Sequence, residues 1–155
     1  MNRRILFSLA GLLVAGFLTA HGVFSEPAPQ STRKAFNSPE RIVQAPFSEA
    51  VLANNTLYLS GTIGLDPKTG KPPAEIEDEI KLLMGNVQHA LALAGMNMDD
   101  VVSVQVFCTD LSLFEKFNPI YKSYFTKDMP ARAFIGAGSL LRGGHFELQA
   151  VAVKR

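Results

Sequence analysis

Apolar residues recur along this chain with two different periods, and the switches between them mark its elements. Ile76, Ile80, Leu83, Val87, Ala90, Leu91 and Ala94 follow one another at helical spacing, which predicts a helix with one buried stripe. Glu75, Glu77, Asp78 and Glu79 load its first turn, where negative charge complements the helix dipole. That acidic group reads as a solvated face rather than a metal site. Gly95 is placed to end the helix. Val102, Val104, Val106 and Cys108 alternate instead, predicting a strand with one covered face. Two more strands are predicted over 131–137 and 145–153, divided by the segment GSLLRGG. In the last one, Phe146, Leu148, Ala150 and Ala152 share one face, and His145, Glu147, Gln149, Val151 and Val153 the other.

Turn chemistry joins these pieces. EAVLANNTLYLSG predicts two strands meeting at Asn54-Asn55, because asparagine tolerates the left-handed conformations of tight hairpins. LDPKTGKPP is a loop: Asp66-Pro67 starts a turn and Pro72-Pro73 end any strand. Ser112 and Glu115 have capping-box spacing ahead of a helix carrying Phe114, Phe117, Ile120, Tyr121 and Tyr124. Pro119 predicts a bend or a later start in that helix. The order strand, strand, helix, strand, helix, strand, strand makes an α+β layer, with two helices on one face of a mixed sheet. Val101, Phe107, Val151 and Val153 leave the other face apolar with no helix to cover it, which predicts association through that face.

Composition sets the boundaries. With 155 residues, 47% hydrophobic and 19% charged, the chain is sized for one folded domain. Arg3 and Arg4 precede an uncharged apolar run from Ile5 to Ala20, and Ala20 and Gly22 supply small residues. This is the layout of a secretory signal peptide over residues 1–22, cleaved near Gly22, and it predicts an exported, periplasmic protein. The run of 16 residues falls short of the roughly 20 that span a bilayer, so no stable membrane anchor is expected. Residues 23–38, rich in Pro, Ser and Ala, read as a linker, and 39–155 as the domain. Losing residues 1–22 lowers Lys plus Arg from 15 to 13 against 14 Asp plus Glu, a balance of −1. No broad basic field remains, and nucleic acid is not an expected partner. Cys108 is the one cysteine, which rules out an internal disulfide and reads as a buried, inert thiol.

Little recognisable chemistry is left. His89 and His145 have no second His or Cys at ligand spacing, so no metal is expected. Arg132 and Glu147 stand out as charges set among strand-forming apolar residues. Arginine can grip a carboxylate through two parallel hydrogen bonds, and a carboxylate in apolar surroundings can act as general acid or base. Spacing alone leaves two readings open, a structural ion pair or the working groups of a site.

The stretches RKAFNSPE, APFSEAV, LYLSGTIGLDPKTG, NVQHALALAG, VVSVQVFCTDLSLFEKFNPIYKSYF and PARAFIGAGSLLRGGHFELQAVAVKR occur in this order from about Arg33 to Arg155. In this order they resemble the Rid family of enamine/imine deaminases, also called the YjgF or L-PSP type. The resemblance implies a chorismate-mutase-like α+β fold and a homotrimer with its sites in the clefts between subunits. It implies hydrolysis of reactive enamines and imines, such as 2-aminoacrylate, to 2-keto acids and ammonia, with no metal or organic cofactor. It assigns Arg132 to the substrate carboxylate and Glu147 to the attacking water and its proton. Ser60 and Gly61 match the pocket segment, and Asn118 a residue lining the cleft. Phe47 stands where members often carry Tyr, losing the hydroxyl, and Phe134 where many carry Cys, so that its ring reshapes the pocket. Two alternatives accompany this reading. One is a non-catalytic trimeric binder of small carboxylates. The other is a ribonuclease or translation inhibitor, against which export and a near-neutral charge both count.

Overall fold

In a computed structural model, residues 32–39 and 45–154 are described. The expected signal peptide and residues 23–31 of the expected linker lie outside them. The chain runs β1 (Arg33–Phe36), β2 (Ala50–Ala53), β3 (Thr56–Ile63), α1 (Ile76–Leu93), β4 (Val101–Cys108), α2 (Phe114–Lys122), β5 (Ala131–Gly136) and β6 (Phe146–Val153). The strands form a single six-stranded sheet in the order β1-β2-β3-β6-β4-β5. Only β4 and β5 pair in parallel, and α2 makes the crossover that a parallel pair requires. All other neighbours are antiparallel, so the sheet is mixed, as the sequence predicts.

Each element follows from local chemistry. Asn54 takes a positive φ of 54° and closes the two-residue turn between β2 and β3. Gly95 adopts φ 70° just past α1; its N–H reaches Ala92 O and that of Met96 reaches Leu91 O, a Schellman closure. The buried stripe of α1, including Ile80, Leu83, Val87 and Leu91, packs on Leu57, Leu59, Val104, Val106, Leu148 and Ala150. Fully burying a side chain of this kind contributes about 1.5–3 kcal/mol. α2 adds Phe117 and Tyr121 beside Phe146. Helix α1 comes so close to the end of β3 that a β-carbon at Gly64 would overlap the Glu79 carbonyl oxygen.

Four sequence expectations are corrected. Arg33–Phe36, placed in the linker, forms edge strand β1 against β2. Val102 is an extra residue in β4, since Val101 faces Ala152 and Ser103 faces Val151. This bulge turns Val101 into the core and leaves Val102 exposed, reversing the expected placement of both. The capping box at Ser112 and Glu115 does not form. Asp110 instead accepts from Ser112 N at 2.9 Å, capping a 3-10 turn over Leu111–Leu113 that runs straight into α2. Pro119 is accommodated inside that helix. Finally Glu79, read as part of a solvated face, is completely buried.

Candidate active site in two halves

One cluster forms where β3 outruns its neighbour β2. The β3–β6 register slips between Leu59 and Thr62, so Ser60 and Gly61 make an irregular step. Ser60 is held on both sides: its N–H reaches Glu49 O at 2.9 Å and its hydroxyl reaches Ser48 O at 2.6 Å. The missing side chain of Gly61 makes room for the Glu147 carboxylate, because a β-carbon there would overlap Glu147 Oε1. The Glu147 carboxylate accepts no hydrogen bond from any described residue. Phe47, 55% exposed, stands at the rim. A cavity of about 610 Å³ opens here, lined by Phe47, Ser60, Gly61, Ile63, Arg142 and Glu147 among others.

A second cluster forms between β5 and α2. Arg132 lies beside Val104 and Phe134 beside Val106 in the parallel pairing, so both point toward the helix layer. There the guanidinium sits over Tyr121 at 4.6 Å, with Phe114, Phe134 and Phe117 at 5.6, 5.7 and 6.0 Å. Its Nη2 donates to Asn118 Oδ1 at 2.7 Å. Phe134 is itself clamped edge-on by Phe114 and Phe117, at centroid distances of 5.0 and 5.4 Å. Aromatic faces stabilise the cation, while no carboxylate among the described residues pairs with it. The result is an oriented positive charge with most of its donors unspent, suited to a planar carboxylate. The buried Tyr121 hydroxyl has no partner among the described residues. Burial pushes its pKa up to about 12, and the charge of Arg132 pulls the other way.

The two clusters do not meet within one chain. Glu147 lies opposite Phe107 of β4 and Ile63 of β3, on the sheet face away from the helices. Arg132 lies two strands away and points to the helix side. Strand spacing and rise put their Cα atoms roughly 14 Å apart, with the side chains diverging. The structural ion pair between Arg132 and Glu147 is therefore absent. Of the expected site residues, Glu147, Ser60, Gly61 and Phe47 gather in the first cluster, and Arg132, Asn118 and Phe134 in the second. The sequence reading missed Phe114 and Tyr121 as partners of Arg132. Their signal was present, since Phe114, Asn118 and Tyr121 recur at the spacing of one helix face.

Cys108 is buried, and its thiol donates to Asp110 O at 3.0 Å. Burial raises its pKa above the ordinary thiol value. Among the described residues no group of three His, Cys, Asp or Glu side chains could hold a metal ion.

Comparison with known proteins returns a consistent set of relatives. The family model described as endoribonuclease L-PSP matches residues 38–154. A 2-iminobutanoate/2-iminopropanoate deaminase of Bos taurus is 37% identical over 110 residues, covering 70% of this chain and 80% of its own. The YjgF gene product of E. coli superposes with a TM-score of 0.72 at 30% identity, covering 79% of this chain and 99% of that one. E. coli TdcF, solved with bound serine, gives a TM-score of 0.69 at 28% identity, covering 78% and 94%.

Proposed function

The chain belongs to the endoribonuclease L-PSP family, the YjgF or Rid type, and from that premise we propose that it hydrolyses 2-imino acids in a site assembled from two copies of itself. The observation that carries the proposal is the placement of Arg132 and Glu147 on opposite faces of one sheet. A substrate small enough for this reaction must touch both groups at once, so the arginine of one protomer meets the glutamate of the next. The open sheet face, with Phe107, Val151 and Val153, supplies the apolar surface for that contact, and a head-to-tail contact of this kind closes into a ring, here proposed to have three members.

In this site Arg132 binds the substrate carboxylate through its fork of N–H donors. Asn118 and the surrounding rings hold that fork in place. Glu147 accepts a proton from water as the oxygen adds to the imine carbon, giving a carbinolamine. Starting from the protonated imine, return of that proton to nitrogen makes an ammonium leaving group; the C–N bond then breaks as the hydroxyl proton passes through Glu147 to the departing ammonia, leaving a 2-keto acid and ammonium. Orientation and one proton-transfer group suffice for this chemistry. Phe47 and Phe134 shape the space around the substrate side chain.

The Arg3-Arg4 start and the apolar run from Ile5 to Ala20 support export, with the mature chain beginning near Val23. Intact-mass measurement of the cellular protein checks this, and a full-length mass in the soluble fraction would count against it.

Turnover of freshly generated 2-iminopropanoate tests the site. Arg132→Ala and Glu147→Ala should each abolish release of ammonia above the spontaneous rate. Dissociating and mixing the two inactive variants in equal amounts should restore activity to about a quarter of the sites, because mixed rings contain some clefts with both native groups. Mixtures that stay inactive would overturn the shared site. Heat of binding with 2-ketobutyrate but no turnover by wild type would make the protein a binder instead.

A further inference from the structure

Glu79 is the only fully buried charged side chain among the described residues, and the reaction above does not use it. It belongs to the first turn of α1, yet its partners are 66 and 67 residues further on. Oε1 accepts from His145 N at 2.7 Å and from Phe146 N at 3.2 Å, and Oε2 lies 2.7 Å from His145 Nδ1. An ionised carboxylate out of water is tolerated only with such a set of donors. With Glu79 ionised, Nδ1 donates to it, and the imidazole side chain is 41% exposed. All three bonds thus end on the two residues immediately before Glu147.

Phe146 is also buried against Phe117 and paired with Cys108, while the chain just ahead of it is irregular. The chain enters β6 through Arg142 and Gly143, both at positive φ, 58° and 76°. Phe146 is then the first strand residue, and among the described residues His145 has one further hydrogen bond, its carbonyl accepting from Thr109 N at 3.0 Å. We propose that Glu79 is a positioning residue for Glu147, fixing the start of β6 to α1 through the His145 ring and two backbone amides. This rests on the deaminase reading, because the group it positions is the one that handles the water.

The carboxylate suits the task because it offers two acceptor oxygens, whereas an amide presents one acceptor and one donor. Glutamine at this position keeps the backbone bonds through its oxygen but needs the opposite imidazole tautomer.

Three variants test the proposal: Glu79→Ala, Glu79→Gln and His145→Ala. The last removes a half-exposed ring and keeps α1 intact, so it remains informative if Glu79→Ala does not fold. In His145→Ala we expect kcat to fall on the order of tenfold with KM within about twofold, the signature of a displaced catalytic group rather than a lost binding contact. Amide exchange at Phe146 and Glu147 should quicken while the α1 amides stay protected. Glu79→Gln should recover most of what Glu79→Ala loses in both measurements. Unchanged exchange in His145→Ala, and in Glu79→Ala where it folds, would overturn the anchor whatever the activity, and quickened exchange with unchanged kcat would overturn its link to Glu147. Wild-type protein without turnover would instead sink the deaminase reading, and the exchange data would still decide the anchor.

Discussion

Gly61 and Glu147 compete for one volume: the carboxylate of Glu147 lies where a β-carbon of residue 61 would stand. Glycine is thus required by close approach, since Gly61 has no positive φ to demand it. Gly61→Ala should push the carboxylate aside while leaving the core untouched. A displacement of about 1 Å can cost on the order of a hundredfold in rate, so we expect kcat to fall on that scale with an unchanged melting temperature. Full activity in this variant would mean that Glu147 works from another rotamer.

Asn118 donates nothing to Arg132 but accepts its Nη2 proton at 2.7 Å, which fixes one edge of the guanidinium. Asn118→Ala frees that edge to turn. A hydrogen bond to a charged group contributes about 1.5–3 kcal/mol, and part of this should appear as a KM raised roughly tenfold. Arg132→Lys should cost more, because an ammonium cannot reproduce a two-pronged grip. Steady-state kinetics on one imine substrate checks both.

The orphan hydroxyl of Tyr121 makes a stability expectation with a definite sign. Its folded pKa of about 12 exceeds the ordinary value of 10.0, so the folded state holds the proton longer than the unfolded one. This contribution is complete below pH 10 and is lost as pH rises toward 12. Wild type should therefore lose stability more steeply than Tyr121→Phe across that window. At neutral pH, removing the unpaired hydroxyl should stabilise the fold by about 1 kcal/mol. A destabilised Tyr121→Phe would show that the hydroxyl has a hydrogen-bond partner in solution.

Cys108 should resist thiol reagents. It is buried, and burial raises its pKa, so little thiolate exists near neutrality and none is accessible. We expect negligible labelling of native protein and one equivalent in denaturant. Rapid native labelling would contradict the placement of Cys108 in the core.

Much of this fold could be read from local signals. Asn54 and Gly95 announced their turns through backbone chemistry, and the stripe from Ile76 to Leu91 announced a helix through its period. What escaped depended on distant parts of the chain. Glu79 looked like one more charge in an acidic first turn because its donors, His145 and Phe146, lie far along the sequence. The bulge at Val102 inserts one residue and so inverts the reading of every side chain before it. Strand β1 is short and mostly exposed, which leaves no alternation to detect. Arg132 and Glu147 were singled out from the sequence, but their opposite orientation depends on strand order, which no local pattern encodes.

That opposite orientation has a consequence for dosage. Under the proposed shared site, a lone protomer holds Arg132 and Glu147 out of reach of each other, so turnover reports assembled clefts and not chains. When the protein is dilute enough for the proposed ring to dissociate, activity should fall faster than concentration. Under the same proposal, newly made chains would remain inert until they accumulate and find one another.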